Sequence, residues 1–242
     1  MLNKCHDVTY KETLDFEKNK KNLLIVPGNT NFFRKAKHEH FVSSLRWLSS
    51  KNANKNFKDV VGSSTCAPVA LLLSLGYKTK EIQIKLDTTS FRQIVNNIGN
   101  KHKQPLSIVI DNGISKDKNS SRKPQFKISI KDSFLEWAKE QISDKLVHPL
   151  ATFIDLKKSS LVNNSFKNIH LIGLNLETKK LEVFNYKNTP NIPIAIAVRI
   201  CMSYSTVFSI VEIIDANTHK KSVYVDGGLV LQHIDFSNYK IA

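Results

Sequence analysis

Apolar residues occur in short blocks whose spacing changes between strand-like and helix-like along the chain. In the first third, the runs 22–29 and 57–62 are β-type apolar segments, and the first ends in Pro-Gly. The run 40–50 has apolar positions at spacings of three and four, which predicts an amphipathic helix. The run 68–76 is almost wholly apolar and predicts a buried helix that stops at Gly76. This strand–helix–strand–helix order favours a parallel sheet covered by helices on both faces.

The remainder of the chain continues this alternation. We expect helices over 130–146, with Asp132 or Ser133 near its start, and over the first part of 193–208, starting at Pro193. Between them and on either side, the predicted strands are 106–110, 150–156, 169–178, 180–186, 208–215 and 220–228. No repeat or interdomain linker stands out, so the pattern predicts one domain over 1–242, with 1–21 as a flexible or helical N-terminal extension.

Composition adds a strong positive charge to this picture. The 242 residues include 36 Lys and Arg against 21 Asp and Glu, a formal net charge of +15, which favours adhesion to nucleic acid or to an anionic membrane surface. The basic residues lie in polar loops such as 51–58 and 116–123 and do not alternate with aromatic residues, as a platform for single-stranded nucleic acid requires. We therefore expect a solvated basic surface and no nucleic-acid partner.

Other features exclude further classes of protein. No stretch approaches the roughly 20 apolar residues that span a bilayer, and the N-terminus lacks the apolar core of a signal peptide. We expect a soluble chain without a signal peptide. The three cysteines, Cys5, Cys66 and Cys201, are too scattered for a disulfide framework or a zinc site, so we expect reduced thiols and no metal.

Two turns carry candidate chemistry. Gly62-Ser63-Ser64-Thr65-Cys66 lies between a predicted strand and a predicted helix, where a serine either projects as a nucleophile or caps the helix. A predicted strand near the C-terminus ends in Asp226-Gly227-Gly228, which is either a plain turn or the position of a carboxylate base. If the two strand ends meet, Ser64 and Asp226 form a two-residue nucleophile and base.

The chain resembles the patatin-like phospholipases, which take a Ser-Asp dyad from a G-x-S-x-G elbow and a D-G-G or D-G-A turn. The segment 62–82 is similar to the family's elbow, its following helix and the start of the next. The segments 191–213 and 224–230 resemble the stretch that leads into the family's catalytic aspartate. The resemblance implies a three-layer α/β/α fold with a mainly parallel central sheet. Within the family, the sequence most resembles the patatin-like effectors that intracellular bacteria inject into host cells.

The resemblance also implies a function. It implies a lipid acyl hydrolase of the phospholipase A type, in which Ser64 is the nucleophile, Asp226 is the base and no cofactor or metal takes part. Backbone N–H groups of Thr65 and of the Gly28–Asn29 region would bind the oxyanion. The expected substrate is a phospholipid or another acyl-ester lipid. The expected location is the cytoplasm or the interior of a host cell, peripheral on membranes.

The sequence departs from the family's pattern at two places. The glycine-rich oxyanion loop is replaced by 26–37, where only Gly28 remains from the glycine run and Arg34 matches the basic residue only with a shifted alignment. Cys66 replaces the second glycine of the elbow, where we expect a buried structural thiol. An enzyme with this loop is expected to be weak or to depend on an activator such as a host protein. Two alternatives remain open: a catalytically degenerate domain that binds lipid or a host protein, and a basic nucleic-acid-binding protein.

Overall fold

A computed structural model describes residues 23–26, 57–87, 94, 104–111, 125–203 and 209–228. In these residues the strands are β1 (Leu23–Val26), β2 (Asp59–Gly62), β3 (Leu106–Asp111), β4 (Gln125–Ile128), β5 (Asn168–Asn175), β6 (Lys180–Phe184), β7 (Val211–Asp215) and β8 (Lys221–Asp226). The α-helices are α1 (Ala67–Ser74), α2 (Thr79–Asp87), α3 (Ser133–Leu146), α4 (Phe153–Val162) and α5 (Ile194–Cys201), and a 3₁₀ turn (Ser64–Cys66) precedes α1.

All eight described strands belong to one sheet. The pairing runs β1-β2-β5-β8-β7-β3-β4, and β6 pairs with β5 as well. β1, β2 and β5 are parallel, as are β3 and β7, whereas β4, β6 and β8 run antiparallel to their neighbours. Five of the eight described strands therefore share one direction. The sheet is mostly but not purely parallel.

Helices cover both faces of this sheet. A Cβ added at Gly62 of β2 would lie 2.5 Å from the Ala70 Cβ of α1, and one at Gly173 of β5 would lie 2.7 Å from Ile200 of α5. Gly62 pairs with Leu171 of β5, and paired residues share a face of the sheet. Gly173 lies two residues after Leu171, so its side of the strand faces the same way as Gly62. Side chains of α4 contact the opposite face through Asn168. The result is the predicted three-layer α/β/α arrangement.

Two helix starts show how local sequence decides the elements. α3 begins after Asp132, whose side chain accepts a hydrogen bond from Leu135 N at 2.8 Å. Of the two residues that the sequence offered for this start, Asp132 is the cap. α4 begins after Thr152, which forms a capping box with Asp155.

The prediction of a strand over 150–156 is wrong, because α4 starts at Phe153. Its apolar residues fit either period, and the capping box of Thr152 and Asp155 favours the helix. β4 was not predicted. The other predicted strands match described ones, and the helices predicted over 68–76 and 130–146 and from Pro193 are found. The helix predicted over 40–50 and the extension 1–21 lie outside the described residues.

Candidate active site

Ser64 lies on an abrupt turn between β2 and α1. Ser63 is still extended, whereas Ser64 has φ of +50°, and Cys66 N already donates to Ser63 O at 3.1 Å. A positive φ is uncommon for a residue with a Cβ, and such outliers concentrate at functional turns. Gly62 allows the close approach of α1, since a Cβ there would overlap Ala70. The turn thus has the strained strand-to-helix geometry that presents a side chain at the end of a sheet.

Asp226 ends β8 and forms its own turn. Its Oδ1 accepts a hydrogen bond from Gly228 N at 2.8 Å, and its backbone N donates to Ser203 O at 3.1 Å. A Cβ on Gly228 would lie 2.8 Å from the Ser64 Cβ and 3.1 Å from Asp226 Oδ1. Only glycine leaves room for the aspartate turn to pack directly against the serine turn. The two motifs that the sequence placed far apart are therefore in contact.

The pairing of β5 explains why these turns meet. Leu171 pairs with Gly62 on one side and with β6 on the other, so β2 and β6 flank β5 on opposite sides. Gly173 pairs with β6 and with Asp226, which places β8 on the same side as β2. β2 and β8 consequently run toward each other along one side of β5, and their last residues stand two positions apart in its register.

The carboxylate of Asp226 has an unusual environment. Asp226 is 0% exposed and Ser64 is 2% exposed. Burial raises the pKa of Asp226 from the ordinary 3.8 to about 6, and hydrogen-bonding interactions with Ser64 and Gly228 lower it only in part. Oδ2 makes no hydrogen bond of ordinary geometry with a described residue. Asp226 is thus a buried acceptor, beside a serine, whose pKa lies close to neutral pH.

We expect Asp226→Asn to stabilise the fold at neutral pH. The folded protein holds this proton more tightly than the unfolded chain, so stability falls as pH rises from about 4 to about 6 and stays lower above that. The difference between a pKa of about 6 and 3.8 corresponds to about 3 kcal/mol at pH 7.5. Urea unfolding of both proteins at about pH 7.5 and about pH 4 measures the gain. Equal destabilisation of the variant at both pH values would contradict this account.

The structure brings together most of the predicted site residues. Gly62, Ser64, Asp226, Gly227 and Gly228 meet beside the middle of β5, near residues 171–173, and the backbone of Thr65 lies in the 3₁₀ turn that follows β2. Gly28 and Asn29 lie outside the described residues, as does Arg34. The prediction of a buried thiol at Cys66 is wrong, because Cys66 is only half-buried, whereas Cys201 is buried and its Sγ donates to Ile172 O at 3.4 Å. The described residues contain no group of three or more His, Cys, Asp or Glu placed to hold a metal ion.

Comparisons with known proteins show the family to which the chain belongs. The sequence profile described as "Patatin-like phospholipase" matches residues 38–233. The chain belongs to the patatin-like phospholipase family. A comparison with curated protein sequences found no match.

Solved structures of two bacterial proteins share the patatin-like fold. One is full-length ExoU from the type III secretion system of Pseudomonas aeruginosa, in complex with SpcU (TM-score 0.50, 16% identity, 76% of this chain and 38% of that chain). The other is VipD from Legionella pneumophila (TM-score 0.50, 17% identity, 89% of this chain and 48% of that chain). The chain spans less than half the length of either protein.

A buried ion pair behind the patatin-like Asp226 turn was not predicted. Arg199 is 1% exposed; its Nε donates to Asp132 Oδ2 at 2.7 Å and its Nη1 to Ser203 Oγ at 2.7 Å. Its guanidinium also donates to Ser209 O and Oγ. Ser203 O in turn accepts the N–H of Asp226. The sequence did contain a sign of this ion pair: a single arginine within the apolar helix α5. A buried cation requires an acidic partner.

We expect Arg199→Met to lower the free energy of unfolding by about 3–5 kcal/mol, because it leaves the Asp132 charge buried without its partner. Adding Asp132→Asn should recover part of the loss, since asparagine is neutral and still caps α3. Lys139→Met, which removes a more exposed ion pair with Glu136, is the control and should cost less than about 1 kcal/mol. Denaturant unfolding of the four proteins measures these costs. Equal losses for Arg199→Met and Lys139→Met would refute the assignment.

Proposed function

We propose that this patatin-like chain is a lipid acyl hydrolase of the phospholipase A type, with Ser64 as nucleophile and Asp226 as general base. The observation that carries the proposal is a serine at positive φ packed against a buried aspartate whose pKa is about 6. A carboxylate with this pKa is mostly ionised at pH 7 and still basic enough to take a proton.

The acylation step follows from this geometry. Ser64 Oγ attacks the ester carbonyl carbon of the lipid while the Asp226 carboxylate takes the hydroxyl proton. The resulting tetrahedral oxyanion would accept hydrogen bonds from the backbone N–H of Thr65 and, as the family resemblance implies, from the Gly28–Asn29 region. The intermediate then collapses, the bond to the leaving alcohol breaks, and Asp226 returns the proton to the alcohol oxygen. The product of this step is an acyl ester on Ser64.

Deacylation repeats the sequence with water. Asp226 takes a proton from a water molecule, whose oxygen attacks the acyl carbonyl carbon. Collapse of this second intermediate releases the fatty acid, and the proton returns to Ser64 Oγ. The residues supply the nucleophile, the base and the oxyanion donors, and each cycle restores them.

The burial of both side chains favours an enzyme that must open before it acts. Ser64 is 2% exposed and Asp226 is 0% exposed, so an ester group has no access to them in this conformation. We propose that a lipid surface, a host protein or both shift the chain to an open state. The alternative, a catalytically degenerate domain that only binds lipid or a host protein, would have the same closed site. The enzyme and the degenerate domain differ in whether any condition exposes a reactive Ser64.

The test is labelling with a fluorophosphonate, which reacts with activated serines whatever their natural substrate. We expect wild-type protein to be labelled at Ser64 in the presence of anionic vesicles and host-cell extract, and Ser64→Ala to remain unlabelled. Ser63→Ala is the matched control, because the Ser63 side chain makes no capping hydrogen bond to the turn that follows. Labelling of Ser64→Ala as fast as wild type, or no labelling of wild type under any addition, would refute the proposal.

Charge also predicts how the protein reaches its substrate. None of the helices in the described part of the chain is long and apolar enough to cross a bilayer. With a net charge of +15, we expect adsorption to anionic vesicles, to which each well-placed Lys or Arg contributes about 1 kcal/mol. Salt screens this attraction, so raising NaCl from about 50 mM to about 500 mM should weaken binding by about tenfold or more.

Sedimentation with vesicles at both salt concentrations measures this effect, and DNA at matched charge density is the comparison. Vesicle affinity that does not change with salt would contradict adsorption through charge. Tighter binding to DNA than to vesicles would favour the nucleic-acid-binding alternative.

A further inference from the structure

A cavity of about 940 Å³ lies at the end of the sheet opposite the candidate active site. Phe57 and Lys58, just before β2, line it together with residues from the end of α1 and the turn after it, and with residues from α4 through the start of β5. Ser64 follows the other end of β2. At a rise of about 3.3 Å per residue, Lys58 and Gly62 lie about 13 Å apart. This cavity, the basal pocket, is separate from the Ser64 and Asp226 site.

The lining of the basal pocket carries charge of one sign. Its charged residues are four lysines, Lys58, Lys78, Lys157 and Lys167, and no Asp or Glu lines it. None of the four forms an ion pair with a described carboxylate. Asp59, which adjoins Lys58 in sequence, already accepts hydrogen bonds from Asn168 and His170, each at 2.9 Å. Asp59 also interacts electrostatically with Lys157 and offsets part of this charge, but the four lysines leave the pocket with a net positive charge.

Two of these lysines are held in place by neutral groups. Lys157 Nζ lies 4.8 Å from the centre of the Tyr186 ring, and Lys167 Nζ lies 5.7 Å from that of Phe57. Lys167 Nζ also donates to Asn164 O at 2.7 Å. Both side chains are half-buried, and burial lowers the pKa of Lys167. These contacts hold the two ammonium groups at the wall of the pocket, where they can donate hydrogen bonds to a bound anion.

The rest of the lining suits a small ligand with both polar and apolar parts. Ser160, Asn164 and Ser165 contribute polar groups, whereas Phe57, Leu161 and Phe166 contribute apolar surface. The volume falls within the range of about 300–1,000 Å³ that small-molecule sites occupy. Several ammonium groups at the wall of one cavity suit a compact anion with more than one negative charge.

We propose that the basal pocket binds an anionic ligand that carries phosphate groups. This chemistry belongs both to the headgroup of a phosphorylated lipid and to a soluble phosphorylated metabolite. The proposal does not depend on hydrolysis, because Ser64 and Asp226 play no part in it. It can therefore be tested in the Ser64→Ala protein, whatever becomes of the proposed function.

The test measures binding of inorganic pyrophosphate and inositol trisphosphate by calorimetry in the Ser64→Ala background. The pocket variant carries Lys157→Gln and Lys167→Gln. The control variant carries Lys158→Gln and Lys180→Gln, which remove the same charge from exposed positions outside the pocket. We expect the pocket variant to lose about tenfold or more in affinity for both probes and the control to change by less than about twofold. Thermal unfolding of both variants checks that each is folded.

Vesicles distinguish the two sources of the phosphate. If the ligand is a lipid headgroup, vesicles with phosphatidylinositol bisphosphate bind more tightly than phosphatidylserine vesicles of equal charge, and the pocket variant loses this preference. If the ligand is a soluble molecule, pyrophosphate binding is lost in the pocket variant while vesicle binding stays unchanged. Either result supports the pocket. Equal losses in the pocket and control variants, or no binding of either soluble probe to the parent protein, would overturn it.

Discussion

Ser64→Ala should abolish lipid hydrolysis, and Asp226→Asn should lower turnover by about 10²–10⁴-fold, the range that a positioned general base contributes. The reason is the contact between the two turns, which places the buried Asp226 carboxylate beside Ser64. Turnover is measured with a phospholipid in anionic vesicles under the condition that gives wild-type protein its highest rate. Ser63→Ala, one residue before the nucleophile, should keep near wild-type turnover.

The two substitutions separate function from folding. Asp226→Asn should lose activity while gaining stability at neutral pH, because the buried carboxylate destabilises the fold. A variant that is inactive and also less stable would show that Asp226 has a structural role. Survival of most turnover in Asp226→Asn or Ser64→Ala would show that another residue performs the chemistry.

The second large effect concerns the purified chain by itself. We expect it to hydrolyse phospholipid about 100- to 1,000-fold more slowly than in the presence of host-cell extract and anionic vesicles, the loss expected for one missing oxyanion donor. The segment 26–37 lacks the family's glycines, and Ser64 is 2% exposed. An activator that exposes Ser64 would raise turnover and fluorophosphonate labelling together.

Matched assays separate the possible outcomes of this experiment. Vesicles alone and extract alone show which addition is needed, and Ser64→Ala in the full mixture corrects for hydrolases in the extract. Rapid hydrolysis by the purified chain would refute the requirement for an activator. Absence of any Ser64-dependent turnover under every addition would favour the catalytically degenerate alternative.

The positions of the two turns at the candidate site were predictable from sequence because each turn rests on a short motif. Gly62 and Ser64 lie where an apolar strand gives way to an apolar helix, and Asp226 and Gly228 lie at the end of an alternating strand. Gly62 reports the close approach of the helix that follows it, which is a local property. The family resemblance then indicated that the two turns belong together, and the structure places them in contact.

The remaining features depend on contacts between distant segments. Gly62 and Asp226 come together because they pair with residues two positions apart on β5. This register is set by pairing across the whole sheet, and sequence patterns do not encode it. Arg199 finds its partner Asp132 at a sequence separation of 67 residues. The helix α4 was mistaken for a strand because its apolar start fits both periods, so that capping decides between them.

The pH dependence of fluorophosphonate labelling tests the central claim most directly, because it reports the reactivity of Ser64 without a natural substrate. The rate for activated wild-type protein should rise through pH of about 6, as Asp226 loses its proton, and reach a plateau above about pH 7. The site of modification, identified by mass spectrometry, should be Ser64. In Asp226→Asn the labelling should be slow and show no step near pH 6. Equal rates and equal pH profiles in wild type and Asp226→Asn would contradict the assignment of Asp226 as the base.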